Sequence, residues 1–133
     1  IMFDTKFLDN IIFSKKNNLI GVRKVTKSKL KKNSFVAKIS KTMKILKIAK
    51  YKDCTSANNE VICINKFSAS FFNKLLLFLD AYFKKFTKNI TWEYPLSDFI
   101  IKNNIYALKN QSFSWININT VNDLNQARRK KYE

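Results

Sequence analysis

The chain has 133 residues, of which 46% are hydrophobic and 14% aromatic, enough for one domain with a core and too many aromatics for a disordered segment. Lysine and arginine outnumber aspartate and glutamate by 26 to 9, giving a formal charge of +17 that bears on solubility and anionic partners rather than on fold. There is no histidine, which excludes Ser-His and Cys-His nucleophile pairs and His-ligated zinc within this chain, and Cys54 and Cys63 are too few for a disulfide scaffold and read as reduced thiols.

The chain opens on Ile1-Met2-Phe3, which reads as the end of a strand already under way; the expectation is a longer parent sequence and no signal peptide. Phe7, Leu8, Ile11 and Ile12 have helical spacing, and Lys15-Lys16-Asn17-Asn18 closes that helix. Leu19 to Val25 reads as a strand. Ser34 to Ser40 and Met43 to Tyr51 both alternate, and the short Lys41-Thr42 break makes them a hairpin candidate. Glu60 to Asn65 is a short apolar run suited to a buried strand, and Ser68 or Ser70 caps the helix that follows.

In that helix Phe72, Leu75, Leu76, Leu79, Phe83 and Phe86 recur at three- and four-residue steps and predict one broad core-facing side. Lys74, Asp80, Lys84 and Lys85 interrupt the stretch too often for it to cross a bilayer. Pro95 suits the start of a short helix with Leu96, Phe99 and Ile100 on its apolar face. Ile105 to Leu108 and Ser114 to Asn119 read as strands. Thr120-Val121-Asn122-Asp123 fits a capping box, Leu124 and Ala127 face inward, and Arg128 to Lys131 suit the negative end of the helix dipole. Strands alternating with helices, plus one hairpin, predict an α/β sheet with helices against it and no internal domain boundary.

The segment Trp115-Ile116-Asn117-Ile118-Asn119-Thr120-Val121-Asn122-Asp123-Leu124, with Ala127, resembles a strand-to-helix signature of the Rossmann-like nucleotidyltransferases, a family that includes sugar-phosphate, phosphocholine and molybdenum-cofactor nucleotidyltransferases. Other segments resemble that family in order. Ile1 to Asp4 resembles the stretch after its metal-binding aspartate, and Lys44 to Lys50 its hairpin strand ending in lysine. Glu60-Val61-Ile62-Cys63-Ile64 resembles its Glu-x-x-Gly-Ile strand, and Trp92-Glu93-Tyr94 the acidic position before its last short helix. The resemblance implies a partial Rossmann-like, GT-A-type domain, with residues 1–133 as the C-terminal part and the nucleotide-binding N-terminal part absent. The one glycine, Gly21, cannot make the family's glycine-rich triphosphate loop, so no catalytic residue is expected in this chain and the chain alone is expected to be inactive.

The activity implied is transfer of a nucleoside monophosphate, CMP favoured, from a nucleoside triphosphate to a small phosphorylated metabolite, a sugar phosphate or a phosphocholine-like compound, with magnesium as cofactor and pyrophosphate as leaving group. The resemblance puts Lys50, Glu60, Glu93 and Asn117 on the acceptor side and Asn119 nearest the metal. Read from the residues alone, Lys50 is either a phosphate contact or one more surface lysine, and Glu60 and Glu93 are either acceptor ligands or solvated or capping carboxylates. Trp92, Tyr94 and Trp115 are either an aromatic wall for a quaternary amine or core packing.

Two departures stand out. Cys63 occupies a position usually held by glycine, where a side chain narrows the acceptor pocket. Asn119 occupies one often held by a metal-binding aspartate; its amide oxygen can still ligate a hard cation but brings no charge. The lysines run through the whole chain, and with abundant Asn and Ile they fit an A/T-rich coding sequence, so no specific nucleic acid and no membrane are expected and the reading is cytoplasmic. The alternative is a basic RNA-binding or ribosome-associated domain without enzymatic activity, which accounts for the charge and the aromatics but not for the ordered motifs.

Overall fold

The computed structural model describes residues 5–57, 59–86, 91–110, 118 and 120–130. The first helix, α1 (Thr5–Ile12), buries Phe7 and Ile11, one turn apart, and β1 (Leu19–Lys24) follows. Four consecutive residues of β1, Leu19 to Val22, are buried, the pattern of a strand covered on both faces. Next come β2 (Phe35–Ile39) and β3 (Ile45–Lys50), an antiparallel hairpin in which Phe35 pairs with Lys50 and Ala37 with Ile48. Its turn is tied by Ser40, whose amide donates to the Lys44 carbonyl and whose hydroxyl accepts from the Lys44 amide, with Met43 in the left-handed region at φ 66°.

The fourth strand, β4 (Asn59–Lys66), runs antiparallel to both β1 and β2. After α2 (Ala69–Lys85) and α3 (Glu93–Lys102), the chain enters β5 (Tyr106–Asn110), which lies parallel to β1, and it continues to α4 (Val121–Lys130). The sheet order is β3-β2-β4-β1-β5, a mixed five-stranded sheet with flanking helices, as an α/β chain predicts. The Ile45 amide donates to the Ile105 carbonyl and the Ala107 amide to the Met43 carbonyl, so the two outer strands of this order are stitched to each other near their starts.

Each face of the sheet has its own apolar layer. On one side Phe7, Ile11, Leu19 and Ile62 cluster under α1. On the other, Ile20, Val22, Val61 and Ala107 pack with Leu75 of α2 and Leu96, Phe99 and Ile100 of α3. Ile20 and Val22 have no exposed surface, so cutting either to alanine costs about 2–5 kcal/mol for the larger and somewhat less for the smaller. A third cluster, Leu30, Val36, Ala49, Cys54 and Ala57, closes the hairpin end.

The cap expectations hold. Ser68 is the N-cap of α2 and accepts from the Phe71 amide, while Asp123 Oδ2 accepts from the Thr120 amide and Thr120 Oγ1 from the Asp123 amide, a reciprocal capping box. Ala127 is buried and Leu124 half-buried.

The inward side of α2 differs from the predicted one. Phe71 and Leu75 are buried, with Phe78 and Leu79 packed against the core, whereas Phe72, Leu76, Phe83 and Phe86 are exposed. A helix apolar around most of its circumference does not specify its own rotation. Here Phe71 fixes it by stacking on Phe67 and meeting Phe99 edge-on. No helix among the described residues is long and apolar enough to cross a membrane. The expected strand ends at Ile1 to Phe3 and Ser114 to Asn119 lie, apart from Ile118, outside the described residues.

Candidate functional site

The local sequence of α3 determines where Glu93 points. Leu96, Phe99 and Ile100 dock the helix on the sheet, and Ser97 Oγ receives the Ile48 amide of β3 at 3.4 Å. Pro95 costs no hydrogen bond because first-turn amides have no intrahelical partner. Glu93, Leu96 and Ile100 lie three and seven residues apart, on one helical stripe, so the docking that buries the two aliphatics carries the Glu93 side chain inward. Glu93 is 9% exposed, and its Oε2 has no hydrogen-bond partner among the described residues. The helix N-terminus favours the negative charge there, but a desolvated carboxylate oxygen still needs a donor.

Tyr94, the next residue, lies half-buried and meets Phe35 edge-on at 5.7 Å between centroids, while Lys50 Nζ lies 5.6 Å from the Tyr94 ring centroid. Since Phe35 and Lys50 are register partners, the first turn of α3 and the near end of the hairpin form one local cluster of an ammonium and two rings, and Glu93 precedes Tyr94 in the same helical turn. Trp92 packs against the α2–α3 core layer.

Glu60 takes a different position. The register places Ala49, Val36, Glu60, Arg23 and Asn110 in one row across all five strands. Side chains alternate along a strand, and Val61 belongs to the α2–α3 layer, so Glu60 points to the opposite face from Val61. There it holds Arg23, with Nη2 at 2.7 Å and Nε at 2.8 Å from Oε2. Arg23 was not among the expected site residues; its signal was being the one arginine of the chain outside the C-terminal Arg128-Arg129 pair.

Cys63 lies within electrostatic reach of both carboxylates. Ile20 pairs with Asn65 and Val22 with Val61, so three residues of β4, Ile62, Cys63 and Ile64, stand opposite the single Gly21. The resulting bulge puts Cys63 at φ 56°, a conformation that favours glycine, at the position where the sequence resemblance expects a glycine. Burial of the sulfur raises its thiol pKa above the ordinary range, and the negative charges of Glu93 and then Glu60 raise it further, although the residue still presents surface to solvent.

Of the expected site residues, then, Lys50 meets Tyr94, whereas Glu93 and Glu60 come together only as the two negative charges that act on Cys63. Asn117, Asn119 and Trp115 lie outside the described residues. Among the described residues no group of three His, Cys, Asp or Glu side chains could hold a metal ion.

No family model matches the chain, and no curated protein is significantly similar to it. Among solved structures, it shares its fold with the CTP:phosphocholine cytidylyltransferase of Streptococcus pneumoniae, at a TM-score of 0.69 and 16% sequence identity, over 87% of this chain and 49% of that one. The chain thus spans about half the length of that enzyme.

Proposed function

We propose that this chain forms the acceptor side of a nucleotidyltransferase that moves a nucleoside monophosphate, CMP favoured, from a nucleoside triphosphate to a small phosphorylated metabolite. In that reaction a phosphate oxygen of the acceptor attacks the α-phosphorus, a new P–O bond forms, the α–β bridging P–O bond breaks, and pyrophosphate leaves. The barrier lies in bringing anions together in line, so positioning and charge neutralisation are what such a half must supply.

The observation that carries the reading is the buried Oε2 of Glu93, without a partner among the described residues, in the same helical turn as the Tyr94 that Lys50 meets. Glu93 takes the polar or cationic end of the acceptor, Tyr94 and Phe35 give that end an aromatic wall, and Lys50 meets the acceptor phosphate. A phosphocholine-like acceptor, with a cation at one end and a phosphate at the other, matches this order of groups; a sugar phosphate satisfies Glu93 through hydroxyls. Magnesium, when bound, would supply positive charge that offsets the phosphate anions. Asn119 is the residue assigned to it, and Asn117 is assigned to the acceptor.

The test is pyrophosphate release by the intact protein supplied with CTP and either phosphocholine or a hexose 1-phosphate. Glu93→Gln should raise the acceptor KM without a matching change in the KM for CTP. Equal KM values for the acceptor in wild type and variant would refute the assignment.

The charge of +17 supports a second reading, a basic domain that binds RNA. Tight, structure-selective RNA binding that persists at physiological salt would favour it over the first.

A further inference from the structure

Between α2, from Lys74 onward, and the C-terminal half of α3 lies an open groove of about 810 Å³. Its floor is a chain of rings: Phe99 meets Phe78 at 5.2 Å, Phe78 meets Tyr82 at 5.9 Å, and Tyr82 meets Phe86 at 4.6 Å. Lys74, Lys85 and Lys102 stand around it and form no ion pair among the described residues, while Asp98 is the one acid of the lining. Ile101, at the rim, is 73% exposed. Lys85 and Lys102 also offset the negative ends of their helices, but Lys74 sits in the first half of α2 and has no such role.

We infer that this groove is a docking site for an acidic amphipathic helix of a partner protein. From Lys74 to Phe86 the groove runs ~18 Å along α2, the length of about three helical turns. An apolar stripe laid on such a floor, flanked by carboxylates facing the three ammoniums, is helix-in-groove recognition. Charge selects this occupant over the others. A second copy of a chain at +17 would bring like charge to a basic rim. Single-stranded nucleic acid stacks successive bases on several open ring faces, whereas Phe99, Phe78 and Tyr82 are packed on their neighbours and leave Phe86 as the one exposed ring of the floor. None of Lys50, Glu93 and Tyr94 lines the groove, so the inference stands whether or not the proposed transfer reaction does.

The probe is a fluorescein-labelled synthetic helix of about 14 residues, with leucines on one stripe and glutamates flanking them. The controls are the same stripe flanked by lysines and a scrambled glutamate peptide. Fluorescence anisotropy with the full chain should show salt-sensitive binding of the glutamate helix alone. Reversing the rim in a Lys74→Glu, Lys85→Glu, Lys102→Glu variant should weaken it by about tenfold or more, since three surface ion pairs change sign. Ile101→Ser, at an exposed position that the fold does not need, should weaken it as well. Equal binding of the scrambled peptide, unchanged affinity in the rim variant, or tighter binding of phosphatidylserine vesicles or polyuridine through the same lysines would each overturn the inference.

Discussion

Gly21 of β1 lies opposite the Cys63 bulge of β4, and each residue's backbone depends on the other. A Cβ on Gly21 would sit 2.8 Å from the Ile64 carbonyl oxygen and 2.9 Å from both Ile62 Cγ1 and Phe7 Cζ. The glycine therefore provides the space into which the extra residues of β4 and the first helix close.

Two substitutions should act in opposite directions. Gly21→Ala should destabilise by about 1–3 kcal/mol, because the nearest obstacle is backbone and cannot rotate away. Cys63→Gly should be neutral or stabilising by up to about 1 kcal/mol, since relief of the left-handed strain outweighs the entropy of an added glycine. Cys63→Val, β-branched, should destabilise. Urea midpoints of the three variants check the order.

The Arg23–Glu60 pair is neither fully buried nor free, with side-chain exposures of 31% and 14%. Its loss should cost about 1–3 kcal/mol, more than a solvent-exposed pair such as Lys84–Asp80. A double-mutant cycle of Arg23→Met and Glu60→Gln should show coupling between the two sites, and additive effects would mean the contact contributes nothing.

The raised thiol of Cys63 makes stability depend on alkaline pH. The folded protein holds this proton more tightly than the unfolded chain, so its contribution is fully present below the ordinary thiol pKa and is lost as pH rises through and above it. Glu93→Gln removes the second-largest cause of the shift and should lower the thiol pKa. The pH profile of iodoacetamide alkylation at Cys63 should then move to lower pH; buried Cys54 serves as the internal reference.

The capping box isolates a local term. Thr120→Ala should destabilise by about 0.5–2 kcal/mol, through the lost acceptor for the Asp123 amide and fraying of the first turn of α4. Amide hydrogen exchange should rise at Asp123 and Leu124 before it rises in the sheet.

How far the sequence could be read depended on the range of the interaction. The Thr120–Asp123 box, the Ser68 cap and the hairpin around Lys41-Thr42 are set within a few residues, and each appears where the sequence puts it. The rotation of α2 depends on Phe99, nearly thirty residues on from Phe71, and a helix with apolar residues on most sides gives no local clue to it. Glu93 was legible as an acidic residue near a helix start but not as a buried one, because its inward direction follows from the docking of Leu96 and Ile100. The Arg23–Glu60 pair depends on strand register, which single-strand patterns do not encode across thirty-seven residues. The bulge that strains Cys63 is likewise a property of two paired strands; only the resemblance to a Glu-x-x-Gly-Ile strand hinted that a side chain there is unusual.

The most direct measurement is a titration of the isotope-labelled full chain with phosphocholine, followed by backbone amide NMR in wild type, Glu93→Gln and Lys50→Met. Shifts should concentrate at Lys50, Tyr94 and the first turn of α3. Glu93→Gln should weaken binding by at least about tenfold, as expected for loss of a charge-assisted contact, while its urea midpoint holds or rises because a desolvated charge has gone. Unchanged affinity in Glu93→Gln, or shifts confined to residues away from that cluster, would contradict the account.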